Sequence, residues 1–180
     1  MKAVLDACVI FPTVLREILA GVAAKGLYQP LWSERILREW VLALRKFGSE
    51  AQAEAQVQAL CLQAAFPKAL IREQSDIEAR LLLPDPDDRH VLAVAMAAHA
   101  DCIVTFNAKD FPRHVLAEEG IARRDPDGFL WEIFSHHPEA VGAVVREVHA
   151  TAERLSGQVL PLKALLKRAK LPKLAKAMGC

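Results

Sequence analysis

The stretch Val91-Leu92-Ala93-Val94-Ala95-Met96-Ala97-Ala98-His99-Ala100-Asp101-Cys102-Ile103-Val104-Thr105-Phe106-Asn107 decides the fold. Its first eight residues are apolar throughout and read as a buried helix. The preceding turn, Asp85-Pro86-Asp87-Asp88, offers oxygens suited to cap that helix. Cys102-Ile103-Val104-Thr105 then reads as a strand buried on both faces, because it is apolar without alternation and bounded by polar residues. A buried helix leading straight into a buried strand is the repeating unit of an α/β architecture with a central parallel sheet.

The same alternation extends in both directions. Ala3-Val4-Leu5 forms a first strand, and the stripe Val14, Leu15, Ile18, Leu19, Val22 has helical spacing, with Gly26 where a helix-ending glycine belongs. A short strand follows at 28–31. Ser33 then caps, and Glu34 opens, a helix carrying Ile36, Leu37, Trp40, Val41 and Leu44 and closed by Gly48. A third helix covers about 49–65 and stops at Pro67; Ala69-Leu70-Ile71 reads as another strand. Past the central stretch, a strand at 121–123 leads through Pro126 into a helix around 129–134. Beyond His136-His137-Pro138 only helices remain, at about 139–155 and 162–177, with Pro161 and Pro172 as breakers. The expected organisation is an α/β body over 1–135 and a helical extension over 136–180.

Composition excludes several classes. With 53% hydrophobic residues in 180, the chain can bury a core, so disorder and low-complexity classes are out. The longest uninterrupted apolar run is 91–98, far short of the roughly 20 residues that span a bilayer. Cys8, Cys61, Cys102 and Cys180 form neither a CxxC pair nor a disulfide framework. A reducing cytoplasm is the expected location.

In open α/β sheets, ligands bind outside the carboxyl ends of the strands. Here those ends are acidic: Asp6 follows the first strand, and Asn107 and Asp110 follow Thr105. Asp88 faces the same edge if the loop before its helix lies over it. Each has a plainer reading, since Asp85, Asp87 and Asp88 are natural caps, Asn107 and Asp110 are common turn residues, and Glu39 suits a solvated helix flank. Asp6 is harder to dismiss, because an acid inside so apolar a run needs a partner to offset its desolvation. Clustered carboxylates repel one another, and a hard divalent cation is their usual stabiliser.

Taken together, Leu5-Asp6-Ala7-Cys8-Val9, Ile36-Leu37-Arg38-Glu39-Trp40, Asp85-Pro86-Asp87-Asp88-Arg89-His90-Val91-Leu92-Ala93 and Val104-Thr105-Phe106-Asn107-Ala108-Lys109-Asp110-Phe111 resemble a PIN domain in their order and spacing. The pattern is similar to the VapC-type toxin ribonucleases of bacterial toxin–antitoxin pairs. Residues 121–130 resemble the last strand and helix of such domains, and the remainder is similar to a helical extension in one branch of them. The resemblance implies a three-layer α/β/α fold with a central parallel sheet. It further implies that Asp6, Glu39, Asp88 and Asp110 are the acidic quartet holding Mg²⁺ or Mn²⁺ for RNA hydrolysis. Asn107 falls where many relatives carry an aspartate, which lowers the charge of the site by one. Thr105 matches a position that orients ligands or the scissile phosphate. A cognate antitoxin covering the acidic edge and a homodimer are the partners implied; the runner-up is a PIN-like module that binds RNA or a partner without cutting.

The rival acidic-edge folds lack their signatures. A haloacid dehalogenase phosphatase needs Asp-x-Asp after the first strand, and Asp6-Ala7-Cys8 has no second carboxylate. Neither a phosphate-binding glycine loop nor a GxSxG elbow is present, and the six histidines read as surface or capping residues.

The net charge of +1 hides an asymmetry. Arg154, Lys163, Lys167, Arg168, Lys170, Lys173 and Lys176 are seven cations with no acid among them, which leaves 16 basic and 22 acidic residues in 1–153. The plain reading is a solvated helix face; the functional one is a basic arm whose Lys163, Lys167 and Arg168 bind substrate phosphates.

Overall fold

Four short parallel strands form the sheet at the centre of the chain: β1 (Lys2–Leu5), β2 (Gln29–Leu31), β3 (Cys102–Val104) and β4 (Ala122–Arg124), in the order β2-β1-β3-β4. The helices in chain order are α1 (Ala7–Ile10), α2 (Thr13–Ala24), α3 (Glu34–Ala43), α4 (Ser49–Ala65), α5 (Ser75–Glu78), α6 (Arg89–Ala97), α7 (Arg113–Glu118), α8 (Pro126–His136), α9 (Pro138–Ser156), α10 (Leu162–Arg168) and α11 (Pro172–Ala177). The computed structural model describes residues 1–179; Cys180 lies outside the described residues. The chain divides into two packed units, one of Met1–Phe11 with Tyr28–Arg124 and the other of Pro12–Leu27 with the residues from Asp125 onward.

The first unit holds the whole sheet. Ala3, Val4 and Leu5 of β1 and all three residues of β3 are buried, as expected of strands covered on both faces. Register places Leu5 opposite Val104, and the Asp6 amide continues the ladder by donating to the Val104 carbonyl at 3.2 Å. Asp6 and Thr105 thus leave the sheet side by side. Strand β1 has β2 on one side and β3 on the other, so this edge is also where the chain's winding direction switches, the usual crevice of open α/β sheets.

Helix α3 follows its sequence reading closely. The Ser33 hydroxyl accepts from the Ile36 amide at 3.2 Å, Glu34 stands in the first turn, and Ile36, Leu37, Trp40 and Val41 are buried. Gly48 takes a φ of 107° after a 3₁₀ turn at Leu44–Phe47, a conformation that glycine adopts without penalty. The expected strand at Ala69-Leu70-Ile71 is reduced to one bridge, Trp32 to Leu70. Its partner β2 ends at Leu31 and the chain turns into α3 at Ser33, so only Trp32 remains to pair.

The second unit is helical. Gly21 of α2 comes so close to α9 that a Cβ there would lie 2.5 Å from Val144 Cγ1. Asp125 caps α8 through the Gly128 amide at 2.8 Å. The buried Asp127 accepts from the Lys173 and Leu174 amides at 2.8 and 3.0 Å, which ties α8 to the start of α11. The stretch read as one helix at 162–177 is two, because Lys170 adopts a φ of 60° and Pro172 has no N–H to continue the ladder. Among the described residues no helix is long and apolar enough to cross a membrane, and Cys8, Cys61 and Cys102 are free thiols.

Candidate active site

Asp6 is nearly fully buried at the end of β1. Two donors converge on its Oδ2: the Thr105 hydroxyl at 2.6 Å and the Cys8 thiol at 3.0 Å. Burial, and then the charge of Asp6, push the Cys8 thiol up to about 12, so it remains a protonated donor at neutral pH. The Phe106 amide donates to its sulfur at 3.3 Å, and the Asn107 amide donates to Thr105 Oγ1 at 2.8 Å. This web fixes Asp6 and the turn after β3 as one piece, and it leaves Asp6 Oδ1 as the oxygen not engaged by these donors.

Asp88 occupies the position before α6, yet its side chain makes no cap bond. It accepts instead from Asn107 Nδ2 at 2.9 Å. Asp85, read as a cap, does cap, accepting from the Asp87 amide at 2.9 Å. Its carboxylate also joins those of Asp88 and Asp110, one oxygen of each lying within 4.8 Å of the others, all half-buried. The 3₁₀ turn Pro86–Asp88 accounts for the approach of Asp85 to Asp88, because residues three apart stack in that geometry. Burial first, then the charges of Asp6, Asp85 and Asp110, raise Asp88 to about 7, with His90 opposing.

Glu39 is drawn to different neighbours. Arg35 reaches it at 3.4 Å while holding Glu78 at 2.9 Å and the Asp87 carbonyl at 3.4 Å. His90 Nε2 lies 2.9 Å from Glu39 without hydrogen-bond alignment. His90 is thus a buried neighbour of Glu39 rather than the surface or capping residue expected. Of the predicted set, Asp88, Asn107 and Asp110 are brought together, Asp6 lies within range of the charge of Asp88, and Glu39 pairs with Arg35 beside His90. Lys163, Lys167 and Arg168 are exposed on α10, in the other unit.

The donor set is all oxygen and mostly anionic, the chemistry suited to a hard divalent cation rather than a thiolate-seeking one. The family model for the PIN domain matches residues 2–109, more than half of the chain and nearly all of the site. The chain belongs to the PIN domain family. A stretch of 58 residues is 43% identical to a protein of Mycobacterium tuberculosis (strain ATCC 25618 / H37Rv) named "Putative ribonuclease VapC50"; it covers 32% of this chain and 34% of that one. The matched stretch therefore spans about a third of the relative's length. No solved structure matches at the same level of significance.

Two contributors to this PIN-domain edge, Cys8 and Arg123, escape a reading of the sequence, and a third, Asp85, reads there as a cap. Asp85 was legible in principle, from its spacing of three to Asp88 in a Pro-containing turn. Cys8 sits between apolar residues and gives no polar signal. Arg123, in β4, donates from Nη1 to the carbonyls of Ala108 and Phe111, bracing the loop that carries Asp110. Its partners are main-chain oxygens of a distant loop, which no side-chain pattern marks.

Two outcomes follow from this geometry. Asp88 titrates near 7 in the folded chain and near 3.8 at its ordinary value, so the stability it contributes is fully present below the lower value and is lost as pH rises through the upper one. Metal-free protein is expected to melt at lower temperature at about pH 8 than at about pH 6, and Asp88→Asn to flatten that difference; an equal fall in the variant would contradict the assignment. Arg123→Ala is expected to weaken Mn²⁺ binding about 10–100-fold by calorimetry, with Arg123→Lys recovering part of it. Unchanged affinity would show that the brace does not position Asp110.

Proposed function

We propose that this chain is a metal-dependent endoribonuclease, the toxin of a toxin–antitoxin pair, that hydrolyses RNA phosphodiester bonds. The observation that carries the reading is the grouping of Asp85, Asp88 and Asp110 beside a hydrogen-bonded Asp6 at the switch point of a PIN-domain sheet. The similarity to a relative named as a VapC ribonuclease supports it. Asp88 and Asp110 would hold Mg²⁺ or Mn²⁺, with Asp6, Asp85, Glu39 and the Asn107 carbonyl oxygen completing the set directly or through water. When bound, such an ion supplies an acidified water and neutralises charge developing on the phosphate.

The chain's own residues prepare that chemistry. Thr105 and Cys8 fix the Asp6 carboxylate through one oxygen and do not engage the other. Asn107 shields Asp88 with a neutral donor where an aspartate would add repulsion. Arg35 holds Glu39 at the flank, beside His90. Arg123 sets the loop bearing Asp110, and buried Phe111 anchors its far end. Residues 1–135 are assigned as the nuclease domain and 136–180 as a helical extension; the family match at 2–109 supports the first. A cognate antitoxin, a homodimer and a cytoplasmic location belong to the same proposal.

Purified chain, free of inhibitor, is expected to cut structured RNA in Mg²⁺ or Mn²⁺ and not in chelator. Asp6→Asn should lower the cleavage rate by about a hundredfold or more, since the metal's share of transition-state stabilisation is several kcal/mol. Binding of RNA without cleavage would favour the non-cutting module instead, and cleavage undiminished by Asp6→Asn would overturn the metal assignment.

A further inference from the structure

The residues beyond 153 carry seven cations and no carboxylate, and the structure separates them cleanly from the apolar ones. Helices α10 and α11 bury Leu165, Leu166, Leu171 and Leu174. Lys163, Lys167, Arg168, Lys170, Lys173 and Lys176 are all exposed. This segment lies outside the residues matched by the PIN domain family.

Helix stability does not account for where these cations sit. Lys163 and Lys173 each occupy the first turn of a helix that has no acidic residue there, the end where the helix dipole disfavours positive charge. Lys170 takes a φ of 60°, a left-handed conformation that costs a side chain free energy and that glycine adopts freely. At the corresponding end of α9 the chain does use a glycine, Gly157, with a φ of 65°. Lys167, Arg168 and Lys176 stand in last turns, where the dipole favours them. A surface balanced for solubility usually intersperses both signs of charge. This one holds a single sign, with half of its cations in positions that the local backbone disfavours.

We infer that the basic face of α10 and α11 binds the phosphate backbone of RNA without regard to sequence. The inference rests on the ribonuclease reading and adds to it a second contact for the same substrate. Residues 1–153 carry 22 acidic and 16 basic side chains, so the body bearing the carboxylate cluster repels a polyanion at long range. The basic face provides the attraction that the body lacks. Charge complementarity selects RNA, the one polyanion the proposed reaction requires.

The test uses the full chain carrying Asp6→Asn, so that RNA is bound and not consumed. Binding of a short labelled single-stranded RNA is measured by fluorescence anisotropy over a series of KCl concentrations. The same chain is then examined with Lys163→Gln, Lys167→Gln and Arg168→Gln together, and with Lys163→Arg and Lys167→Arg together. Removing three phosphate contacts should reduce the slope of log affinity against log salt by about 2, and affinity by roughly tenfold or more. The arginine variant should keep the parental slope. Thermal unfolding should not fall in the glutamine variant, because Lys163→Gln removes an unfavourable charge from a helix start. An unchanged slope in the glutamine variant overturns the inference, whether the face then serves an acidic protein or solvent alone. The ribonuclease reading is judged separately, by cleavage with Asp6 intact.

Discussion

Carboxylates crowded onto one sheet edge repel each other, and the neighbourhood of that edge is organised around restraining them. Asp88 shows the cost most directly: burial and the charges of Asp6, Asp85 and Asp110 lift it to about 7. The restraint is local and specific. Asp6 is held by a hydroxyl and a thiol, Asp88 by an amide, and the Asp110 loop by a guanidinium on its main chain. Glu39 is paired with Arg35. These devices hold the oxygens in place without neutralising most of them. The residual negative charge is what a divalent cation at this edge would neutralise.

The sheet makes this possible because its strands are short and parallel. β1 and β3 pair through Leu5 and Val104, so Asp6 and Thr105 emerge at one level with no loop between them and the core. Neither strand can slip without repacking the buried side chains on both of its faces. The precision of the Asp6 position is therefore inherited from packing rather than from loops. The loop that is needed, 106–111, is short, anchored by buried Phe111 and braced from β4.

How much of this could be read from residues alone depends on the range of the interaction. Ser33, Gly48 and the stripe of α3 are local, within a few residues of one another, and the periodicity located them. The pairing of apolar helix 91–98 with strand 102–105 was equally plain. The edge residues Asp6, Asp88, Asn107 and Asp110 were legible because strand ends in α/β folds collect ligands, and because their order resembles a PIN domain. Contacts that cross the chain were not legible. Nothing near Ala69 announces that its partner strand runs out at Trp32. Arg123 reads as one more exposed cation until its main-chain partners are known. His90 lies in a helix so apolar that its burial beside Glu39 follows, yet six scattered histidines invite a surface reading. The split at Lys170 depends on a left-handed residue that a lysine does not advertise.

The central claim is that the carboxylates at the ends of β1 and β3 form a divalent-cation site. Crystals of the full chain soaked in Mn²⁺ and measured for anomalous scattering test it directly. The expected result is a peak coordinated by Asp88 and Asp110 oxygens, with Asp6 or Asp85 in the same coordination sphere or one water away. An ion bound only elsewhere, or no ion at a concentration at which RNA cleavage is metal-dependent, would contradict it.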